Sequence, residues 1–246
     1  MILRAALLAF LASTSLQASA AEAPHTTSHL ENATSLLVIS PIFSQLVAFK
    51  MPLDFHVVNE QTSAHAYIRE AVPTGETAGQ WTRMITVTGY KDIAADPGPP
   101  PAVLLGTIAD GFRKVCPDTV SVGNLGNPSI DGYPAALAFM ACGTADDGSE
   151  SRSEAVLIVA IKGARDYYTI QWAERGPAQA TRVSFDEQHW LGRLKQLMPI
   201  FICARVPGER APYPSCTARL PSDDEPTHAI GRDTQTPLSI PAPATR

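Results

Sequence analysis

A chain of 246 residues that is 45% hydrophobic is ample for one sizeable core and a squeeze for two full domains with linkers. Its net charge of −5, with the basic residues scattered, lacks the electrostatic footprint of a nucleic-acid binder. No stretch reaches the roughly 20 consecutive apolar residues that spanning a bilayer needs, so no membrane anchor is expected.

The first 20 residues read as an export signal. Arg4 gives a minimal positive region, Ala5 to Leu16 an apolar one, and Ala18-Ser19-Ala20 a small-residue cleavage site. Cleavage near Ala20-Ala21 removes Arg4 and takes the net charge from −5 to −6. The mature protein is then expected to be periplasmic or secreted. Residues 21–45 read as a polar, irregular segment with a short helix over Ser40 to Val47, started by Pro41 at the first helical position.

A single α+β domain is expected over residues 46–204. Val47 to Val58 reads as an entering strand, with Pro52 at its start or on an edge, and Ala64 to Val72 as a second. In Trp81 to Gly89 the alternation places Trp81, Arg83, Ile85 and Val87 on one face and Thr82, Met84 and Thr86 on the other. After the stiff turn DPGPPP, residues 102–115 have helical spacing at Leu104, Leu105, Ile108, Phe112 and Val115. Gly106 and Gly111 inside that helix suggest close packing.

Strands follow over Thr119 to Leu125 and Tyr133 to Cys142, and then a hairpin around which the chain is organised. Its first strand, Ala155 to Ile161, is an unbroken apolar run suited to cover on both faces; its second is Tyr167 to Ala173. Gly163 between them is read as a positive-φ turn residue. Ser184 and Glu187 form a capping box for a last helix, with Trp190, Leu194, Leu197 and Phe201 as its buried stripe. Residues 205–246 are Pro-rich and polar, and disorder is the expectation for most of them. The fold class is thus α/β in the α+β sense: a mainly antiparallel sheet of about seven strands with helices packed on its faces.

The phrases QWTRMITV, VCPDTVSV, IDGYPAALAFMAC and EAVLIVAIKGARDYYTIQWAER, in this order of elements, resemble a group of secreted proteobacterial proteins of unknown function. Their fold is similar to that of the photosystem II extrinsic PsbP proteins and a Ran-binding nuclear import factor. The resemblance covers about Val47 to Phe201. It implies a PsbP-like sandwich, and it brings no catalytic residue with it.

The four cysteines form no CxxC pair and have no metal-ligand spacing, so in an oxidising compartment they predict two disulfides. Cys116 ends the first helix and Cys142 ends a strand beneath it, which pairs these two and leaves Cys203 with Cys216. Hydrolase motifs G-x-S-x-G and S-x-x-K are absent. His25 and His29 are spaced i, i+4, and His56 could oppose His65 across a hairpin, two of the three or four ligands zinc needs. The acidic run Asp146-Asp147-Gly148-Ser149-Glu150 lacks a calcium-loop pattern. No catalytic residue, metal or cofactor is therefore assigned.

Tyr67, Trp81, Tyr168 and Trp172 are the candidate binding aromatics, with core packing as their other reading. The function expected is an exported, non-catalytic binding or assembly-assisting module with a protein or small-molecule partner. An exported hydrolase with an unrecognised site is the alternative.

Overall fold

In the computed structural model, the structure describes residues 34–146 and 151–219. The export signal, His25 and His29, most of the acidic run and the tail from residue 220 lie outside the described residues.

The run Ala155 to Ile161 lies in β9 (Ser151–Lys162), and all seven side chains are buried. Ala155, Leu157, Val159 and Ile161 point to one face, and Val156, Ile158 and Ala160 to the other. Covering each large aliphatic side chain contributes about 1.5–3 kcal/mol, so the strand is stable only between two layers.

The elements that surround it follow in chain order. They are β1 (Ser35–Ile42), β2 (Gln45–Pro52), β3 (Phe55–Thr62), β4 (Ala66–Pro73), β5 (Arg83–Tyr90), α1 (Pro101–Val115), β6 (Val120–Gly126) and the short β7 (Ser129–Ile130). Then come β8 (Tyr133–Asp146), β9, β10 (Tyr167–Pro177), α2 (Glu187–Leu197), β11 (Phe201–Ala204) and α3 (Pro214–Thr217). The main sheet runs β3-β4-β5-β10-β9-β8-β6, every neighbouring pair antiparallel, with β7 against β8. Its seven-strand path and the helices beside it make the fold α+β.

One face of β8 and β9 is covered by α1, through Leu105 and Ala109 against Ala136, Ala138, Met140, Val156 and Ile158. Cys142 pairs with Glu154 of β9, which puts its side chain on that same face, and it is bonded to Cys116 at the end of α1. The opposite face is covered by a second sheet, β1-β2-β11, together with α2. There Val38, Ile42, Val47 and Phe49 join Phe139, Trp172 and Trp190 in one core. The second disulfide, Cys203–Cys216, ties α3 to β11 over Leu46 and Ala48 on the outer side of this small sheet. Both expected cysteine pairs are thus formed.

Several local expectations are corrected. Residues 40–47 are not a helix: β1 and β2 form a hairpin with Phe43-Ser44 at its turn. The β-branched and apolar run before Pro41 decides this, since it needs a strand partner to cover the core. The stretch Val47 to Val58 is two strands that turn at Leu53-Asp54. The last helix is capped by Asp186, whose carboxylate accepts from the His189 amide, and not by Ser184. Phe201 belongs to β11 rather than to that helix. Trp81 precedes β5 and packs with Met84 on the α1 face, so it does not share a face with Ile85 and Val87. Gly163 has no positive φ; it is needed because a Cβ there would lie 2.3 Å from Gln45 Oε1 and 2.7 Å from the Tyr168 ring.

The helix glycines are not close-packing sites. A Cβ on Gly106 or Gly111 would meet nothing within 4 Å. Replacing both by Ala should therefore stabilise the protein, by up to about 1 kcal/mol each, from helix propensity alone. A thermal melt of the double variant is expected to rise by several degrees, and a fall would show that α1 is covered on its outer side.

Candidate functional site

Three loops meet at one end of the molecule on a single carboxylate. Asp166, in the β9–β10 turn, is 1% exposed. Its Oδ2 accepts from the Ser44 amide (2.9 Å), the Ser44 hydroxyl (2.5 Å) and the Tyr168 hydroxyl (3.2 Å). Its Oδ1 accepts from the Asp92 amide at 2.7 Å. Ser44 belongs to the β1–β2 turn and Asp92 to the segment after β5, so one side chain links stretches up to 122 residues apart. Burial alone would raise the Asp166 pKa. The amide of Asp92 and the hydroxyl and amide of Ser44 outweigh it, and the carboxyl is held below its ordinary value of 3.8.

The backbone on both sides of this anchor is unusual. Phe43 has φ 50° and Asp92 φ 61°, left-handed conformations that cost non-glycine residues free energy and persist where the surroundings over-determine them. Ordering continues outward. Arg165 pairs with Asp92 at 2.8 Å, the Ala94 amide donates to the Arg165 carbonyl, and Arg205 donates to the Phe43 carbonyl at 2.9 Å. Between the loops lies an open cavity of about 390 Å³ lined by Phe43, Ser44, Lys91, Asp92, Arg165 and Asp166. Its lining sets two cations, Lys91 and Arg165, beside two carboxylates, Asp92 and Asp166, with Arg165 already paired to Asp92, a mixed polar surface suited to holding a polar ligand.

A second cluster surrounds Glu174 of β10. Its carboxylate accepts from Trp172 Nε1 (3.0 Å) and Arg193 Nε (2.6 Å), and His189 Nε2 lies 2.9 Å away. Burial would raise the Glu174 pKa, but His189, Arg193 and Trp172 together bring it below the usual carboxylate value. The Arg193 guanidinium also lies 5.1 Å from the centre of the Trp172 ring. The arrangement fastens α2 to the sheet.

All four candidate aromatics are buried. Tyr67, Tyr168 and Trp172 share the core under the small sheet, while Trp81 lies on the α1 side beneath Arg175, 3.9 Å from its ring centre. They do not line a common groove. Tyr67 donates to Glu60, and burial together with that carboxylate pushes its pKa up to about 12. His56 and His65 do not oppose one another. His56 pairs with Val72, whereas His65 lies beyond the Thr62–Tyr67 pair at the hairpin tip. Among the described residues no group of three His, Cys, Asp or Glu side chains could hold a metal ion.

Asp166, Ser44, Asp92 and Glu174 escaped the sequence reading because their partners are remote in the chain. The one local hint was an Asp in a short turn after the apolar run of β9.

No family model matches the chain, and no curated protein matches it. Among solved structures it is similar to a crystal structure from Bacteroides thetaiotaomicron VPI-5482, with 12% identity and a TM-score of 0.37. The match covers 72% of this chain and 51% of that one, so the chain spans about half that protein's length. A likeness of this size carries no argument about function.

Proposed function

We propose that the chain is an exported, non-catalytic binding or assembly-assisting module, whose ligand docks at the loop end anchored by Asp166. The observation that carries the reading is the saturation of that carboxylate: four donors fix it as an organiser of three loops rather than a base awaiting a proton. Two disulfides support an oxidising compartment, and among the described residues no helix is long and apolar enough to cross a membrane. A PsbP-like sandwich remains the architectural expectation and brings no catalytic residue.

The hydrolase alternative has one observation in its favour, the His189–Glu174 pair, in which a carboxylate orients a partly exposed imidazole. Yet Glu174 also holds Trp172 and Arg193, and among the described residues no hydroxyl hydrogen-bonds to the His189 ring. The binding reading fits better.

The test is affinity capture from a periplasmic fraction with the disulfide-bonded mature chain and with a Lys91→Glu/Arg165→Glu variant. A partner enriched by the first and lost by the second is expected. Equal recovery by both, or no enriched partner, would contradict the reading.

A further inference from the structure

The ends of the two sheets are treated unequally. In the main sheet, β3 is interrupted by a bulge between Val57 and Asn59 and carries His56 and Glu60, two devices that discourage pairing. The other edge, β6, carries two glycines and a register shift between Asn124 and Gly126, and the stretch after β10 runs beside it. Ser121 Oγ donates to the Val183 carbonyl, Thr144 Oγ1 to the Gln179 carbonyl, and the Gln179 amide to the Gly143 carbonyl. In the small sheet, β11 is only four residues long. Among the described residues the remaining edge is β1, eight residues (SLLVISPI) without a charge, a glycine or a bulge.

The register shows which groups β1 leaves open. The Leu53 amide donates to the Thr34 carbonyl at 3.1 Å, so Thr34 and, by the two-residue alternation, Leu36, Val38 and Ser40 bond toward β2. Ser35, Leu37 and Ile39 therefore turn their N–H and C=O groups outward. Pro41, with no N–H, closes the row at the other end. At the Ser35 end lies a cavity of about 380 Å³ whose lining includes Thr34, Ser35, Lys50, Pro52, Lys195 and Met198. Among the described residues no carboxylate lines it. Neither ammonium has a hydrogen-bond or ion-pair partner among the described residues.

From these two observations we infer that β1 binds an extended apolar peptide by strand addition, antiparallel, with the peptide's terminal carboxylate at Lys50 and Lys195. Antiparallel addition brings the incoming C-terminus to the start of β1, where the cationic cavity adjoins Ser35. Main-chain bonds to Leu37 and Ile39 supply affinity independent of sequence, and the two lysines supply direction. Pro52 and Met198 give the last side chain an apolar wall. This site is separate from the loop end at Asp166 and stands or falls independently of it.

The experiment is a fluorescence-anisotropy titration of the mature chain with a labelled hexapeptide of alternating Val and Thr, as free acid and as C-terminal amide. Saturable binding of the acid is expected, with the amide about tenfold weaker, the scale of one lost charge-assisted contact. In a Lys50→Gln/Lys195→Gln variant the acid should bind no better than the amide. Ile39→Pro removes an outward N–H and should abolish binding without lowering the melting temperature by more than a few degrees. A peptide N-methylated on the residues facing β1 gives the same test with the protein unaltered.

No saturable binding of the acid, or full binding by Ile39→Pro or of the methylated peptide, would overturn the inference. Equal affinity for acid and amide would overturn the assignment of the lysines. If sedimentation shows the mature chain dimerising and Ile39→Pro makes it monomeric, the occupant is a second copy and the peptide proposal fails.

Discussion

Val159→Asp should abolish accumulation of soluble protein, while the same change at the exposed Val103 should leave yield and melt nearly unaltered. Val159 is 0% exposed and sits in the middle strand of the β10-β9-β8 block, facing the small sheet. An aspartate there would pair laterally with Ile170 and Leu137, neither of which can donate to it. Burying an unpaired carboxylate costs several kcal/mol even after its pKa rises, against a total stability of about 5–15 kcal/mol for a typical domain. Val103 is 52% exposed in the first turn of α1, where a negative charge is favourable to the helix dipole. Soluble yield and thermal melts of the two variants compare one substitution in two environments. Equal behaviour would mean that β9 is not covered on both faces.

Asp166→Asn should cost about 3 kcal/mol at neutral pH, from weakened charge-assisted bonds and an NH₂ group turned toward donors. The loss has a pH signature with a definite sign. Because the folded pKa of Asp166 is lower than its unfolded value near 3.8, the ionised carboxylate stabilises the fold fully above that value. The contribution disappears as pH falls through the lower, folded pKa. The gap between wild type and Asp166→Asn, read from denaturant melts, should therefore be wide at pH 7, start to close below about pH 3.8, and be lost only below the folded pKa. A gap constant with pH would show that Asp166 contributes shape rather than charge.

What was legible in the chain is what one segment states by itself. The apolar run in β9 declared cover on both faces. Cys116 after a helix and Cys142 in the strand beneath it declared their pairing, although β8 runs on past Cys142 to Asp146. The β1–β2 hairpin was illegible for a local reason. Ser40-Pro41 imitates a helix start, and its turn places Phe43 rather than a glycine or asparagine at positive φ. Trp81 went to the wrong face because strand alternation was extended before Arg83, where the strand begins. The loop end was hidden for a different reason: Ser44, Asp92 and Asp166 meet only after three hairpins and loops are folded, and nothing in any one stretch marks them. The edge character of β1 likewise depends on which strands neighbour it.

Native-state hydrogen exchange of the Ser44 and Asp92 amides tests most directly whether Asp166 holds the loop end as a preformed site. Both amides lie in turns, where exchange is ordinarily fast. In the wild-type protein at neutral pH they should exchange as slowly as strand amides. In Asp166→Asn they should open far faster, while the Val159 amide keeps its protection. Fast exchange of both amides in the wild type would contradict the account, because the loops would then be mobile and the cavity between them not preformed.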